Sequence, residues 1–426
     1  MLVPLARLDR PRPRGHHSAM TSPLELDVVV LGGGVTGLWL LDALDAAGHR
    51  TLLLEAGDLG SGQTIASQGI VHGGLKYSLR GVLTASARAI RDMPRRWREA
   101  LAGAGRPDLS HTRLRAEYCH LWQTRQLRSR MAMLGALRGL AVTARPLEEH
   151  ERPAALRDCP GTVARLDEQV VEPGSLLGDL ASRHGAAILG VDVRGGLELD
   201  RTAEGRRRLR LLSPADGTPL DLLPRRIVLC AGAGNEPMRQ RLGLPPGPVM
   251  QRRPLHMVVL RGDLPVLNGH CVDGMATRVT ITTTRDAADR TVWQVGGQLA
   301  EDGVATDRAT LLERARAELA EVLPGVDLSR ADWGSYRVDR AEAMAAGARP
   351  GDAALLEEGD VLTAWPTKLA LVPRLVDRIM ERLDPPGGPP PELRALARWP
   401  RPGVACPPWD EETTWSIEPS VAAART

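Results

Sequence analysis

The stretch Asp27-Val28-Val29-Val30-Leu31-Gly32-Gly33-Gly34-Val35-Thr36-Gly37, followed eighteen residues later by Glu55, decides the fold. Val28 to Leu31 is an apolar run suited to a buried parallel strand, and Gly32, Gly34 and Gly37 keep the G-x-G-x-x-G spacing. Leu38, Leu41 and Leu44 recur at helical spacing, Gly48 suits a C-terminal cap, and Leu52 to Leu54 form a second apolar run ending in Glu55. In such a unit the first glycine permits a tight turn, the second lets backbone approach a pyrophosphate, and the third lets helix and strand pack closely. The helix N-terminus, with Val35 and Thr36 in its first turn, offers free N–H groups and a positive dipole end to phosphates. A carboxylate at Glu55 accepts ribose hydroxyls and repels a 2′-phosphate, which argues against NADP. The stretch predicts a dinucleotide site in an α/β, Rossmann-like fold.

The length of 426 residues suits two or three domains. There is no phenylalanine and only three tyrosines, so nine tryptophans and many aliphatic residues must fill the interior. Of 55 basic residues only Lys76 and Lys368 are lysine, a bias that most simply reflects genome composition. A net charge of +3, with no basic block interleaved with aromatics, excludes a dedicated nucleic-acid binder. Cys119, Cys159, Cys230, Cys271 and Cys406 are scattered without a C-x-x-C pair, which reads as reduced thiols in a cytoplasmic protein with no metal site. Residues 1–24 read as a disordered leader rather than a signal peptide, with Met20 an alternative start. No run of eighteen apolar residues predicts a membrane span.

After Glu55 a long Gly-rich polar loop runs to Tyr77, and a loop of that length in an α/β unit is usually functional. Residues from about 80 to 157 read as helical, with an Arg-dense face open to solvent, an acidic substrate or a membrane surface. A helix is expected after Pro173, strands at Ala187 to Val193 and Ile227 to Gly234, and period-two antiparallel strands between 252 and 297. A helix follows at about 308 to 322, and Pro366 suits the start of another running to about Leu383. The order predicts a nucleotide domain built from residues 25–80, 160–236 and 341–384. Residues 81–159 and 237–340 form an inserted α+β substrate domain with an antiparallel sheet, and a Pro-rich tail at 385–426 wraps the surface.

With these pieces in order, the chain resembles the D-amino-acid oxidase superfamily of FAD-dependent oxidoreductases, whose FAD domain is of the glutathione-reductase type. Gly62, Ser67, His72, Gly73, Gly74, Leu75 and Tyr77 stand in register with a Gly-Thr-Ser-Ser-Arg-Ser-Ser-Lys-Leu-Ile-His-Gly-Gly-Leu-Arg-Tyr-like segment of FAD-dependent glycerol-3-phosphate dehydrogenases. Gln68 to Gly74 is also similar to a run in L-2-hydroxyglutarate dehydrogenases. Val228 to Gly234 looks like the family's strand ending in Ala-Gly-Ala, and Arg252-Arg253-Pro254-Leu255 like a later strand. Arg337 stands near a Gly-x-Arg-Pro motif, here one residue longer and lacking the proline. Thr367-Lys368-Leu369 resembles a Gly-Lys-Leu-Thr run, with Trp365 and Pro366 replacing the preceding glycines.

The resemblance implies an FAD cofactor held by Gly32, Gly34, Val35, Thr36, Gly37, Glu55, Ser61, Gln63, Thr64, Gln68, Val171, Ala231, Gly232, Thr367, Lys368 and Leu369. Oxidation of a C–H beside OH or NH needs a base, here His72, and a cation for the reduced flavin, here Lys368. Arg337 is the expected clamp on a substrate carboxylate or phosphate, with Lys76, Tyr77 and Arg253 as further substrate contacts; His256 and His270 read as core histidines. The function expected is an FAD-dependent dehydrogenase or oxidase acting on a small anionic 2-hydroxy acid, amino acid or glycerol phosphate. Its electrons would pass to oxygen, a quinone or a carrier protein, in the cytoplasm or peripherally at the inner face of the membrane. The alternatives are an FAD-dependent monooxygenase and a non-catalytic FAD-binding partner subunit, which would dock through Trp399, Trp409 and Trp415.

Overall fold

A computed structural model describes residues 22–73, 90, 92–124, 144–273, 276–345, 350–389 and 393–415. Lys76, Tyr77 and residues 1–21 lie outside the described residues, and the first strand already begins at Leu24, within the span expected as a leader. The first sheet is centred on β1 (Leu24–Leu31), with β2 (Thr51–Glu55) parallel on one side and β11 (Pro219–Leu229) parallel on the other. Beyond β2 lies parallel β8 (Ile188–Gly190), and beyond β11 lie parallel β18 (Val361–Trp365) and an antiparallel edge, β17 (Ala354–Glu358). An antiparallel pair, β9 (Leu197–Arg201) and β10 (Arg207–Leu212), continues from β11. Alternation along β1 sends Val28 and Val30 into one core and Val29 and Leu31 into another, so a strand covered on both faces reads as continuously apolar. The helix Val35–Ala46 covers the first face and packs against the helices Pro173–Ser182 and Val372–Met380.

The second sheet runs in the order β16 (Asp332–Ala343), β12 (Met250–Gly262), β15 (Thr291–Gly296), β14 (Ala276–Arg285), β13 (Gly269–Asp273), β4 (Cys119–Gln123), β6 (Val163–Leu166), β5 (Ala144–Pro146). A short antiparallel pair joins β3 (Leu114–Ala116) to β7 (Val170–Val171). The period-two strands expected between 252 and 297 are β12, β14 and β15, and the helix Arg308–Val322 lies under them against Trp122 and Trp293. In a chain without phenylalanine, Trp97, Trp122, Trp293, Trp365 and Trp409 are the largest fully buried side chains.

Three expectations change. The segment 81–159 is not helical throughout: its described residues hold one α-helix, Met93–Leu101, and three strands. All five residues of β4 are buried, so it carries no period, and it pairs with β13 about 150 residues away. Val163–Leu166 and the end of β16 at Ala343 belong to the second sheet, which moves both expected boundaries. The helix expected from Pro366 starts at Val372, because Thr367 takes a positive φ of 63° and a 3-10 turn, Leu369–Leu371, intervenes.

The tail closes back on the molecule. Leu59 N–H donates to Gly403 O at 2.7 Å, Ala405 N–H donates to Leu59 O at 3.0 Å, and Trp415 bridges to Gly334 of β16. Trp399 and Trp409 are buried and Trp415 lies under Arg261, so these rings serve their own chain instead of forming an open docking surface. Among the described residues no helix is long and apolar enough to cross a membrane.

Candidate active site

A cleft of about 950 Å³ opens where β1, β2, β11 and β18 end, at the carboxyl edge of the parallel sheet. Gly32, Gly34, Val35, Thr36, Glu55, Ser61, Gln63, Thr64, Ala231, Gly232, Lys368 and Leu369 line it. The fingerprint glycines divide by role. Gly32 has φ +111° and a Cβ there would lie 2.6 Å from Ala231 Cα, while a Cβ on Gly37 would lie 2.0 Å from Gly32 O; both serve the fold. Gly34 has an ordinary φ of −75°, and a Cβ there would meet only Thr64 Oγ1 at 3.3 Å. The missing side chain at Gly34 therefore leaves open cleft above the helix N-terminus.

Glu55 accepts the Gly33 N–H at 2.5 Å and the Gly57 N–H at 2.8 Å, which fixes its carboxylate at the end of β2. Ser67 Oγ and Trp365 Nε1 are buried without a hydrogen-bond partner, and both residues line the cleft. Unpartnered polar atoms beside a glycine cradle at a helix N-terminus fit a large phosphate-bearing ligand. Val171, expected at the cofactor, is instead fully buried in β7, where its carbonyl packs on Gly69; Val191 and Val193 form the cleft wall. Gln68 donates to Thr280 O at 2.9 Å and Gln294 O at 3.0 Å, tying the Gly-rich loop to the second sheet.

An inner cavity of about 230 Å³ adjoins the cleft, and Gln63, Ala66, Ser67, Val338, Lys368 and Leu369 line both. Its apolar wall includes Ile70, Leu255 and Met257, and its polar groups include His72, His270, Thr280, Glu301, Arg340, Thr367 and Lys368. Arg340 lies 3.4 Å from Glu301. Neither arginine expected at the substrate lines this cavity. Arg253 is bound in bidentate fashion to the buried Glu342 at 2.7 and 2.9 Å. Arg337 is exposed along the outer cleft and donates to Val304 O at 3.1 Å and Thr306 O at 3.0 Å. Arg337 and Arg340 are an odd number of residues apart on β16, so they leave opposite faces of the strand, and the inward one is Arg340.

Glu168, which no motif marked, organises the floor of the cavity. It is fully buried; Oε1 accepts the Gly73 N–H at 2.7 Å, and Oε2 lies 3.2 Å from His270 Nε2 and 3.5 Å from His72 Nδ1. Burial opposes its ionisation, but hydrogen bonds from His270 and His72 outweigh burial and hold the carboxyl far below the usual range. Burial also lowers the pKa of His72 against the pull of Glu168, and His270 and Lys368 reinforce the lowering. One ligand atom from each of the three residues lies within 4.8 Å of the others; Glu168 and His270 are hydrogen-bonded, and His72 Nδ1 faces the same carboxylate oxygen at 3.5 Å. His256 bonds Gly303 O and Ser335 Oγ inside the core, as read from the sequence, whereas His270 also borders the cavity.

Comparison with known proteins agrees with this geometry. Residues 27–359 match the family model described as DAO, FAD dependent oxidoreductase. The chain is 42% identical over 397 residues to the probable FAD-dependent oxidoreductase of Pseudomonas aeruginosa, covering 92% of this chain and 99% of the relative. It is similar to the crystal structure of that oxidoreductase with a TM-score of 0.75 and 38% identity, over 92% of this chain and 99% of the other. Its fold is similar to that of L-α-glycerophosphate oxidase from Mycoplasma pneumoniae with FAD bound (TM-score 0.58, 13% identity, 85% of this chain and 97% of that one). Glycine oxidase from Geobacillus kaustophilus shares it too (TM-score 0.57, 19% identity, 85% and 96%). The chain belongs to the DAO family of FAD-dependent oxidoreductases; it is an enzyme, and FAD is its cofactor.

Proposed function

We propose that this oxidoreductase removes hydride from a C–H bond beside the OH or NH of a small anionic substrate: a 2-hydroxy acid, an amino acid or a glycerol phosphate. The inner cavity carries this reading, because it adjoins the dinucleotide cleft and holds Arg340 and Lys368, with Glu301 the one lining carboxylate among the described residues. FAD, when bound, supplies the hydride acceptor. Arg340, whose guanidinium reaches Glu301 Oε1 and Arg253 O at 3.4 Å, would pair with a substrate carboxylate or phosphate in place of Glu301, and Lys368 sets a compact cation at the junction of the two cavities, where negative charge develops. His72 receives the proton of the substrate heteroatom. Solved relatives whose names specify glycine and glycerophosphate oxidation support a small anionic substrate.

The proposed partners are that substrate and an electron acceptor (oxygen, a quinone or a carrier protein), with no nucleic acid. Five unpaired cysteines support a reducing cytoplasm, and a quinone acceptor would bring the protein to the inner face of a membrane. Anaerobic mixing of the FAD-loaded protein with glycerol 3-phosphate, L-2-hydroxyglutarate, glycine and L-proline tests the reading. At least one acid should bleach the visible flavin band. A flavin that stays oxidised with all four while dithionite reduces it contradicts the proposal.

A further inference from the structure

We propose that Glu168 is a positioning residue that fixes His72 in the Nδ1–H tautomer and so presents an unprotonated Nε2 to the inner cavity as the base. The inference rests on the hydride-removing function above and adds the group that makes His72 competent for it. An ionised carboxylate only accepts, so each ring nitrogen turned toward Glu168 carries a hydrogen. His72 faces Oε2 through Nδ1 at 3.5 Å, which leaves the lone pair on Nε2. His72 is half-buried, and its open part borders the inner cavity.

His270 makes the same carboxylate dependable. Its Nε2 faces Oε2 at 3.2 Å, and its Nδ1 takes the Thr280 hydroxyl at 2.9 Å, so both ring nitrogens are used within the protein. A second hydrogen bond to Glu168 comes from the N–H of Gly73, the residue after His72, which ties Glu168 to the loop that carries the base. In the proton transfer the substrate O–H or N–H bond breaks and an Nε2–H bond forms on His72. The imidazolium so made is compensated by the Glu168 charge beside its other nitrogen. The groups facing His72 are Glu168, His270 and Lys368, and Cys119 faces Glu168 from β4. Burial and the nearby Lys368 charge favour neutral His72, the form a base requires.

Glu168→Gln separates positioning from packing. The Gly73 N–H retains the amide oxygen, so the amide NH2 takes the place of Oε2 and donates to both rings. His72 must then carry its hydrogen on Nε2, the nitrogen that has to be free. Histidine 15N spectra of the FAD-loaded full chain, assigned with His72→Asn and His270→Asn, should show Nδ1–H at His72 in the wild type and Nε2–H in Glu168→Gln. Flavin reduction by the fastest acid of the four above should fall about 100-fold with FAD content unchanged. A wild-type His72 in the Nε2–H form overturns the proposal without any variant, as does an unchanged rate in a folded Glu168→Gln. Stoichiometric zinc binding by the wild type that His72→Asn abolishes also overturns it, since the cluster would then be a metal centre. A wild-type Nδ1–H tautomer with no reduction by any of the four acids supports the positioning role and contradicts the functional reading instead.

Discussion

Gly34 is the residue at which fold and ligand can be told apart. Gly32 and Gly37 are bound by the backbone itself, through a positive φ and a carbonyl in contact, whereas Gly34 has a φ that any residue adopts and a Cβ position open except for Thr64 Oγ1. Gly34→Val should therefore fold with a Tm close to that of the FAD-free wild type yet fail to hold FAD, because its branched side chain fills the cradle. Absorbance of the purified variant checks this, and a stoichiometric yellow flavoprotein would contradict it. The glycine spacing and Glu55 were legible in the sequence because a nucleotide turn draws its parts from thirty consecutive residues. Glu168 and Arg340 were not, because each acquires its role from partners brought together by tertiary folding: Glu168 from His270, 102 positions away, and Arg340 from its side of β16. A signal for Arg340 was nevertheless present in strand parity, since an inward position on β16 cannot also be Arg337.

Elements show where local pattern carries information and where it does not. β14 and β15 are nearly all buried, yet Val279-Thr280-Ile281-Thr282 keeps an apolar–polar alternation, and the helix Arg308–Val322 gathers Leu311, Leu312, Ala315, Leu319 and Val322 on its buried side, so both are legible from spacing. The segment holding β4 reads as helix because its neighbours in sequence are rich in alanine and arginine, good helix formers, while β4 itself is buried at every position and shows no alternation. The tail is the element whose role changed most. Ala405, Cys406, Pro408 and Glu411 line the dinucleotide cleft, and Trp409, 1% exposed with Arg115 5.4 Å from its ring, anchors them. Trp409→Ala should cost about 3–5 kcal/mol of stability and accelerate FAD release, since the strap over the cleft loses its anchor. Thermal unfolding and the return of free-flavin fluorescence measure the two effects. A variant that holds FAD as long as the wild type would show that the tail does not guard the cleft.

At the scale of the whole molecule, two sheets divide the work. The parallel sheet ends in a glycine cradle and a fixed carboxylate that fit a dinucleotide, and the second sheet supplies His270, Thr280 and Arg340 to the inner cavity. Gln68 and the tail stitch the two together, and Lys368 stands where the cavities meet. On the function proposed above, substrate charge is the property by which the cavity selects. For the acid that reduces the flavin fastest, the direct measurement is anaerobic stopped-flow reduction of the FAD-loaded enzyme by that acid and by an uncharged analogue, the amide or ester, with the reacting C–H retained. The charged form should be more efficient by about 100-fold, on the order of 2.7 kcal/mol of transition-state binding. Equal efficiency for the two would contradict an anion-selective site built on Arg340 and Lys368.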